Sequence, residues 1–388
     1  MKKLFFAFVL MFALTFALVA CGEEKPQEEQ KVEYKVAMIT DYGDITDQSF
    51  NQATYEGCQD WCKANKVEFK YYKPASDSDD DRITSTKEAI AAGYNVIVMP
   101  GYAFAATIED VTTKYPDVHF IALDVALGDL LAAHFGERYD YNPENPEWSS
   151  YKLPSNVYCA VYQEEIAGFF AGYAAVKEGF TKLGFLGGMS VPAVVRYGFG
   201  FVQGADLAAQ EMGVEIQINY TYGGQFFGDP TITAAMDTWY QGGTEVVFAC
   251  GGGIFTSAGE AAKKVGKYVI GVDVDQKPTI DGLYGEGTTV TSAMKGLYAT
   301  VQTALTNLIK NGKFESKIEN LGLVSKTDVE SNYVQLPVKT WSMKKFSVDD
   351  YKALVGKIFD GTIKVSNAID KMPTVSAKTT VNNQGNIK

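Results

Sequence analysis

The chain has 388 residues, with 35 Lys and Arg against 47 Asp and Glu for a formal charge of −12, and 46% of its residues are apolar. That composition excludes a disordered or fibrous chain, and the acidity, with no basic run beyond Lys2 and Lys3, excludes the phosphate footprint of a nucleic-acid partner. Two histidines, His119 and His134, leave little for a histidine metal centre. No metal and no cofactor is expected, and the length suffices for two domains with a ligand cleft between them.

From the N-terminus, Lys2 and Lys3 precede an apolar run from Leu4 to Ala20 broken by Thr15, the pattern of a secretory signal peptide over residues 1–20. The run is near the lower limit for a membrane span, so its length does not decide between a signal and an anchor, and the residues at its end do. Leu18, Val19, Ala20 and Cys21 resemble the bacterial lipobox, in which the chain is cut before the cysteine and that thiol is acylated. Cys21 is therefore the expected lipidation site, on the extracytoplasmic face of the cell membrane. Residues 21–33, charged and free of aromatics, read as a flexible tether. Cys58, Cys62, Cys159 and Cys250 lack a CxxC spacing and read as small buried residues, with a disulfide as the alternative in an exported protein.

From Lys35 onward short apolar runs alternate with amphipathic stretches. KVAMIT, VEFKYYK, NVIVMP, HFIALD and NVYCAVY are separated by helical patterns over 49–65, 82–92 and 104–114. A second series restarts the rhythm: helix 164–178, LGFLGG, helix 197–212, EIQINYTY, helix 231–241, EVVFACG, helix 256–265 and YVIGVD. Such alternation predicts an α/β protein of two doubly wound parallel-sheet lobes whose crevice lies at the strand ends. The expected division is 34–160 plus 287–320 for the N-terminal lobe and 161–286 plus 321–370 for the C-terminal lobe. TTVTSAM with the helix from Lys295 to Lys310 crosses back to the first lobe, 348–359 is helical, and 371–388 is a frayed tail. Residues 138–155, rich in Pro, Asn and Tyr, read as a long surface loop.

Four clusters at strand ends carry the chemistry. TDYGDITDQSFNQ opens a helix whose backbone N–H groups face the crevice, with Asp47, Ser49 and Asn51 as polar side chains. Phe50 in that motif is either a hydrophobic staple or a ring that stacks on a flat ligand. Asp124 ends HFIALD, Tyr197 and Phe199 begin a helix after a Gly pair, and Asp273 joins Lys295 at the last cluster. Gly252, in GGGIF, lets backbone approach a ligand.

TDYGDITDQSFNQATYEG, the GG…P…RYGFGFVQGA stretch, IGVDVDQ and TSAMK together resemble the basic membrane protein family of substrate-binding lipoproteins, over about Tyr34 to Asn367. The resemblance implies a type I periplasmic-binding-protein fold with crossover strands. It also implies a purine nucleoside held between closing lobes, and a monomer serving the permease and ATPase subunits of an ABC importer. It makes Phe50 the base-stacking ring, Asn51 the reader of the base edge and Asp273 the acceptor of ribose hydroxyls beside Lys295, with Asp124 at the cleft. The second stacking ring is Tyr197, with Phe199 as its rival.

Riboflavin or a simple sugar is the competing ligand on the same fold. An enzyme reading starts from Asp41, Asp44 and Asp47, whose spacing is similar to the calcium cluster of nucleoside hydrolases, but no second acidic pair or catalytic His accompanies them. SDSDDDR at 76–82 lacks EF-hand spacing and reads as a helix N-terminus.

Overall fold

The fold is a computed structural model that describes residues 33–41 and 43–387. Apolar runs with both faces covered become parallel strands, and each amphipathic stretch returns the chain over the sheet. The first series is β1 (Lys35–Ile39), α1 (Phe50–Asn65), β2 (Glu68–Tyr72), α2 (Asp79–Ala91), β3 (Val96–Pro100), α3 (Ala105–Val111), β4 (His119–Leu123), α4 (Leu127–Phe135) and β5 (Val157–Tyr162). The second is α5 (Glu164–Glu178), β6 (Lys182–Gly187), α6 (Pro192–Met212), β7 (Ile216–Tyr222), α7 (Pro230–Gln241), β8 (Val246–Cys250), α8 (Phe255–Val265), β9 (Tyr268–Asp273), α9 (Lys277–Tyr284) and β10 (Thr289–Lys295). The chain ends with α10 (Leu297–Leu305), β11 (Lys317–Leu321), β12 (Val334–Gln335), α11 (Val348–Phe359) and β13 (Thr379–Asn386).

One sheet has the order β11-β5-β4-β3-β1-β2 and the other β12-β10-β9-β8-β6-β7-β13. All pairs are parallel except β12, which runs antiparallel to β10. The chain passes between the sheets three times, after β5, after β10 and after β11. This is the type I periplasmic-binding-protein architecture.

Two expectations about organisation change. Residues 287–320 do not stay together: β10 pairs with β9 in the second sheet, and only after Gly296 does the chain cross, so that α10 packs on α1 and β11 pairs with β5. The tail is no frayed end either, because Thr379–Asn386 pairs in parallel with β7. Its Thr/Asn-rich sequence shows no apolar alternation since most of its side chains are exposed, and backbone pairing is what makes it an edge strand.

The 138–155 loop carries a small core of its own. Asp140 accepts from the amide of Asn142, from Asn145 Nδ2 and from the indole of Trp148, and Trp148 is buried with Tyr139 and Leu131. In α2, the acidic run ends on buried Arg82, which bridges Asp77 and Asp79 at 2.7 Å each.

Helices α5 and α6 are in unusually close contact. A methyl group at Gly168 or Gly172 would collide with the carbonyls of Tyr197 or Phe201, and one at Gly200 or Gly204 with those of Glu165 or Phe169. Only glycine permits this backbone approach, and it brings the first turn of α5 beside Arg196 and Tyr197 of α6. One consequence is Glu165, buried with its Oε2 lacking a partner. Burial pushes its carboxyl up to about 7. Below pH 4.5 both folded and unfolded states hold the proton and the group is neutral in the balance. Between 4.5 and about 7 only the folded state keeps it, so stability falls as pH rises, by up to about 3 kcal/mol above pH 7. Glu165→Gln should therefore raise the melting temperature at pH 8 and flatten its fall between pH 5 and pH 8; thermal melts across that range that superimpose on wild type would refute this origin.

Candidate functional site

The site lies where strand ends of the two sheets meet. On the first sheet, the chain leaving β1 turns through Asp41 to Asp47 and enters α1. Asp47, three residues before the first residue of α1, accepts from the amides of Ser49, Asn51 and Gln52 at 2.8, 2.9 and 3.1 Å. The expectation that those N–H groups face the crevice is thus corrected: Asp47 caps the helix and takes three of them. Ser49 is diverted as well. Its hydroxyl donates to Asp273 of the second sheet at 2.6 Å, and Gln276 Nε2 donates to the Gln48 carbonyl at 3.0 Å beside it.

Asn51 has an unambiguous orientation, because both its neighbours are carboxylates. Its Nδ2 donates to Asp41 at 3.1 Å and to Asp47 at 3.2 Å, so both donors are used. Its Oδ1 is buried and has no partner. Gly43 is required here, since any Cβ would strike Asn51 Nδ2.

Asp124 and Asp273 occupy corresponding places, at the ends of β4 and β9. Both have left-handed backbones, φ 61° and 64°, which an Asp tolerates at a cost of roughly 1–3 kcal/mol. Each aims at Lys295, the last residue of β10. The ammonium is 2.5 Å from Asp124 Oδ2, 3.5 Å from Glu164 and 3.8 Å from Asp273 Oδ1. Arg196 completes the group by pairing with Glu164 at 2.6 Å. Burial raises the carboxyls of both Asp124 and Asp273, with Lys295 opposing the rise. For Lys295, burial works to lower its pKa, but the carboxylates outweigh this and hold it above the ordinary lysine range. Aromatic faces surround the same ammonium, with ring centroids of Phe50 at 4.7 Å, Tyr162 at 5.4 Å and Tyr197 at 5.8 Å. The second oxygen of Asp124, Oδ1, is buried without a partner.

Of these groups, Phe50, Asp124, Arg196, Tyr197, Asp273 and Lys295 border a cavity of about 380 Å³, within the range of small-molecule sites. Of the sequence candidates, Asp47, Phe50, Asn51, Asp124, Tyr197, Gly252, Asp273 and Lys295 line it, whereas Ser49 and Phe199 do not. Phe199 rivals Tyr197 only by its place beside it in the motif that carries the family resemblance. The helix begins at Pro192, a proline in its favoured first position, and residues two apart within it, such as 197 and 199, point to different sides. Phe199 packs toward Tyr220, at 6.3 Å between ring centroids.

The sequence reading missed Phe226 and Phe227, which line the cavity from the loop after β7, and also Arg196. The ring of Phe226 lies over Gly188 and Gly251, at the ends of β6 and β8, where a Cβ on Gly188 would strike it and one on Gly251 would come within 2.8 Å. Gly252, with φ 52°, faces the Phe226 carbonyl at the same 2.8 Å. The available signal was positional: GGQFFGD directly follows a strand of the second series, just as the other clusters do.

Cys58, Cys62, Cys159 and Cys250 are buried free thiols. Cys21 lies outside the described residues. Among the described residues no group of His, Cys, Asp and Glu is arranged to hold a metal ion. The hydrolase-like trio is spent otherwise, with Asp44 on Lys73 at 2.9 Å, Asp47 on its helix and Asp41 on Asn51. No described helix is long and apolar enough to cross a membrane.

The family model for PnrA-like ABC transporter substrate-binding proteins, Bmp, matches residues 34–367. A nucleoside-binding protein of an ABC transporter, BmpA of Lactococcus lactis subsp. cremoris, is 29% identical over 263 residues, covering 64% of this chain and 66% of its own. The CD4+ T-cell-stimulating antigen of Listeria monocytogenes is 29% identical over 391 residues, 94% of this chain and 99% of its own. In fold, the chain is similar to an ABC transporter solute-binding protein from Aeropyrum pernix K1, with a TM-score of 0.67 at 22% identity, over 87% of this chain and 94% of that one. The family span covers β1 to β12, the cavity and its charged cluster, and the chain belongs to the Bmp family of PnrA-like ABC transporter substrate-binding proteins.

Proposed function

We propose that this substrate-binding protein takes a purine nucleoside into the cleft, is held by acylated Cys21 on the extracytoplasmic face, and passes its ligand as a monomer to the permease and ATPase of an importer. The observation that carries the reading is the composition of one cavity. Phe50 from the first sheet's side and Phe226 from the second supply aromatic rings, while unsatisfied acceptors and a buried cation stand at the strand ends. A flat base has apolar faces that aromatic rings cover, at about 1–3 kcal/mol per stack. Phe226 takes the stacking role that the family resemblance implied for Tyr197 or Phe199, and Tyr197, which is 2% exposed, forms the wall behind Lys295. A ribose diol supplies donors for Asp273 and for Asp124 Oδ1. No observation favours riboflavin or a simple sugar. Denaturing the purified protein and identifying the released ligand by mass spectrometry tests the class, and a flavin or hexose would overturn it.

The choice of base is testable at Asn51. Since its amide has spent both donors, its remaining group accepts only, and the neighbouring Asp41 and Asp47 are acceptors too. A base edge presenting N1–H therefore suits it, and guanosine and inosine should bind at least about tenfold more tightly than adenosine in calorimetry, the equivalent of one unmade buried hydrogen bond. Equal affinities would remove Asn51 as the reader of that edge.

For the sugar, 2′-deoxyguanosine should bind more weakly than guanosine, and Asp273→Ala should lose most of that difference. Only the ratio of the two affinities is diagnostic, because the substitution also unsettles Ser49 and Lys295. A preserved ratio transfers the diol contact to Asp124. For the anchor, Cys21→Ser should move the protein from the membrane fraction to the soluble extracytoplasmic fraction, whereas unchanged membrane retention would show another attachment.

A further inference from the structure

Residues 379–386 lie beyond the 34–367 span that the family model matches, yet β13 is the outermost strand of the second sheet. Its parallel direction is decisive. It places the end of β13 at the same end of β7 from which the 223–229 loop, with Phe226, departs. The register slips between Asn383 and Asn386 and is recovered at Asn386 opposite Tyr222. The strand is held along its length, by Ser376 on Asp206 ahead of it and by Asn382 Nδ2 donating to Asn219 at 3.1 Å within it, and its last residues add contacts of their own. The Thr221 hydroxyl donates to the Gly385 carbonyl at 2.9 Å, the Trp239 indole donates to Gln384 at 3.1 Å, and the Ile387 amide donates to the Tyr222 carbonyl at 2.8 Å.

Ile387 also packs against the apolar cluster that contains Ile232 and Ile254, and these two stand directly against Gly223, the first residue of the loop. The loop's other side is tied inward. The amides of Gly223 and Gly224 donate to the carbonyls of Gly187 and Gly188 at 2.8 and 3.0 Å, and the Phe226 carbonyl accepts from Gly253 at 2.8 Å. Its root is thus clamped between β6 and the end of β13.

We propose that β13 is a positioning element of the ligand cleft: by holding the Tyr222 end of β7 through Ile387, it fixes the loop that presents Phe226. This rests on the reading of Phe226 as a ligand-stacking ring. Protection of an exposed sheet edge would explain a strand at this place, but it does not require contacts that reach the root of the 223–229 loop. The two roles differ in their coupling. A strand that merely stabilises the lobe changes affinity whether or not Phe226 is present. One that positions Phe226 loses its effect when that ring is gone.

The test uses the full chain with Ile387→Pro, which deletes the amide donor, and a second variant lacking only residues 387–388 in case the proline impairs folding. Guanosine affinity is measured by calorimetry in wild-type and Phe226→Ala backgrounds, and hydrogen exchange at Gly223 and Gly224 is followed without ligand. Both variants should weaken binding about tenfold in the wild-type background, leave Phe226→Ala unchanged, and speed exchange of the two amides, while Asn382→Ala at the far part of the strand changes neither. Equal losses of affinity in both backgrounds, or unaltered exchange, would overturn the proposal. If the wild-type protein does not bind guanosine, the nucleoside reading fails, and the exchange of Gly223 and Gly224 still decides whether β13 holds the loop.

Discussion

A lysine ammonium buried between two sheets cannot exist without partners, and Lys295 collects them from every part of the cleft. Asp124 comes from the end of β4, Asp273 from the end of β9 and Glu164 from the first turn of the crossing helix α5. Because a charge left unpaired at such a site costs about 3–5 kcal/mol, the relative positions of these elements are tightly specified. The left-handed backbones of Asp124 and Asp273 fit this constraint: the strain is tolerated because turning the side chain toward Lys295 is worth more.

The glycine contacts between α5 and α6 belong to the same arrangement. Glu164 reaches Lys295 only from the start of α5, and it also holds Arg196 of α6. Bulkier residues at 168, 172, 200 and 204 would push the helices apart and separate that pair. Helix packing therefore sets the geometry of the charged cluster. The cleft wall is a product of the core and not an addition to it.

Much of this was legible in the chain because the signals were local. Continuous apolar runs marked β1, β3, β4, β8 and β9, and a polar residue ending such a run marked Asp124 and Asp273. Phe50 and Lys295 were marked by their neighbours in the same way. The features that escaped depended on distant partners. Ser49 and Asp47 look alike as short polar residues near a helix start, yet one crosses to Asp273 and the other folds back on its own helix. Proline at 192 began α6 earlier than the apolar pattern suggested, and two-residue spacing on that helix turns Phe199 away from the side of Tyr197. Phe226 sits in a glycine-rich turn whose periodicity says nothing, and β13 pairs through its backbone with no alternation to announce it. The sheet membership of β10 was unreadable for a related reason: a strand that precedes a crossover belongs by hydrogen bonding to the sheet it leaves.

The charge of the cleft limits the ligands that can enter it. Around Lys295 and Arg196 stand three carboxylates, and Asp41 and Asp47 lie on the remaining side with Asp44 already paired to Lys73. The surplus is negative, and both cations are already engaged. A phosphate would have to displace Asp124 or Glu164 from its cation, at the cost of an unpaired buried carboxylate. Neutral hydroxyls and ring N–H groups meet the opposite situation, since each can donate to an acceptor that is otherwise unsatisfied. The same electrostatics that holds the sheets' ends together therefore favours a neutral ligand rich in donors over a phosphorylated one, and it does so without any residue whose sole purpose is to reject the phosphate.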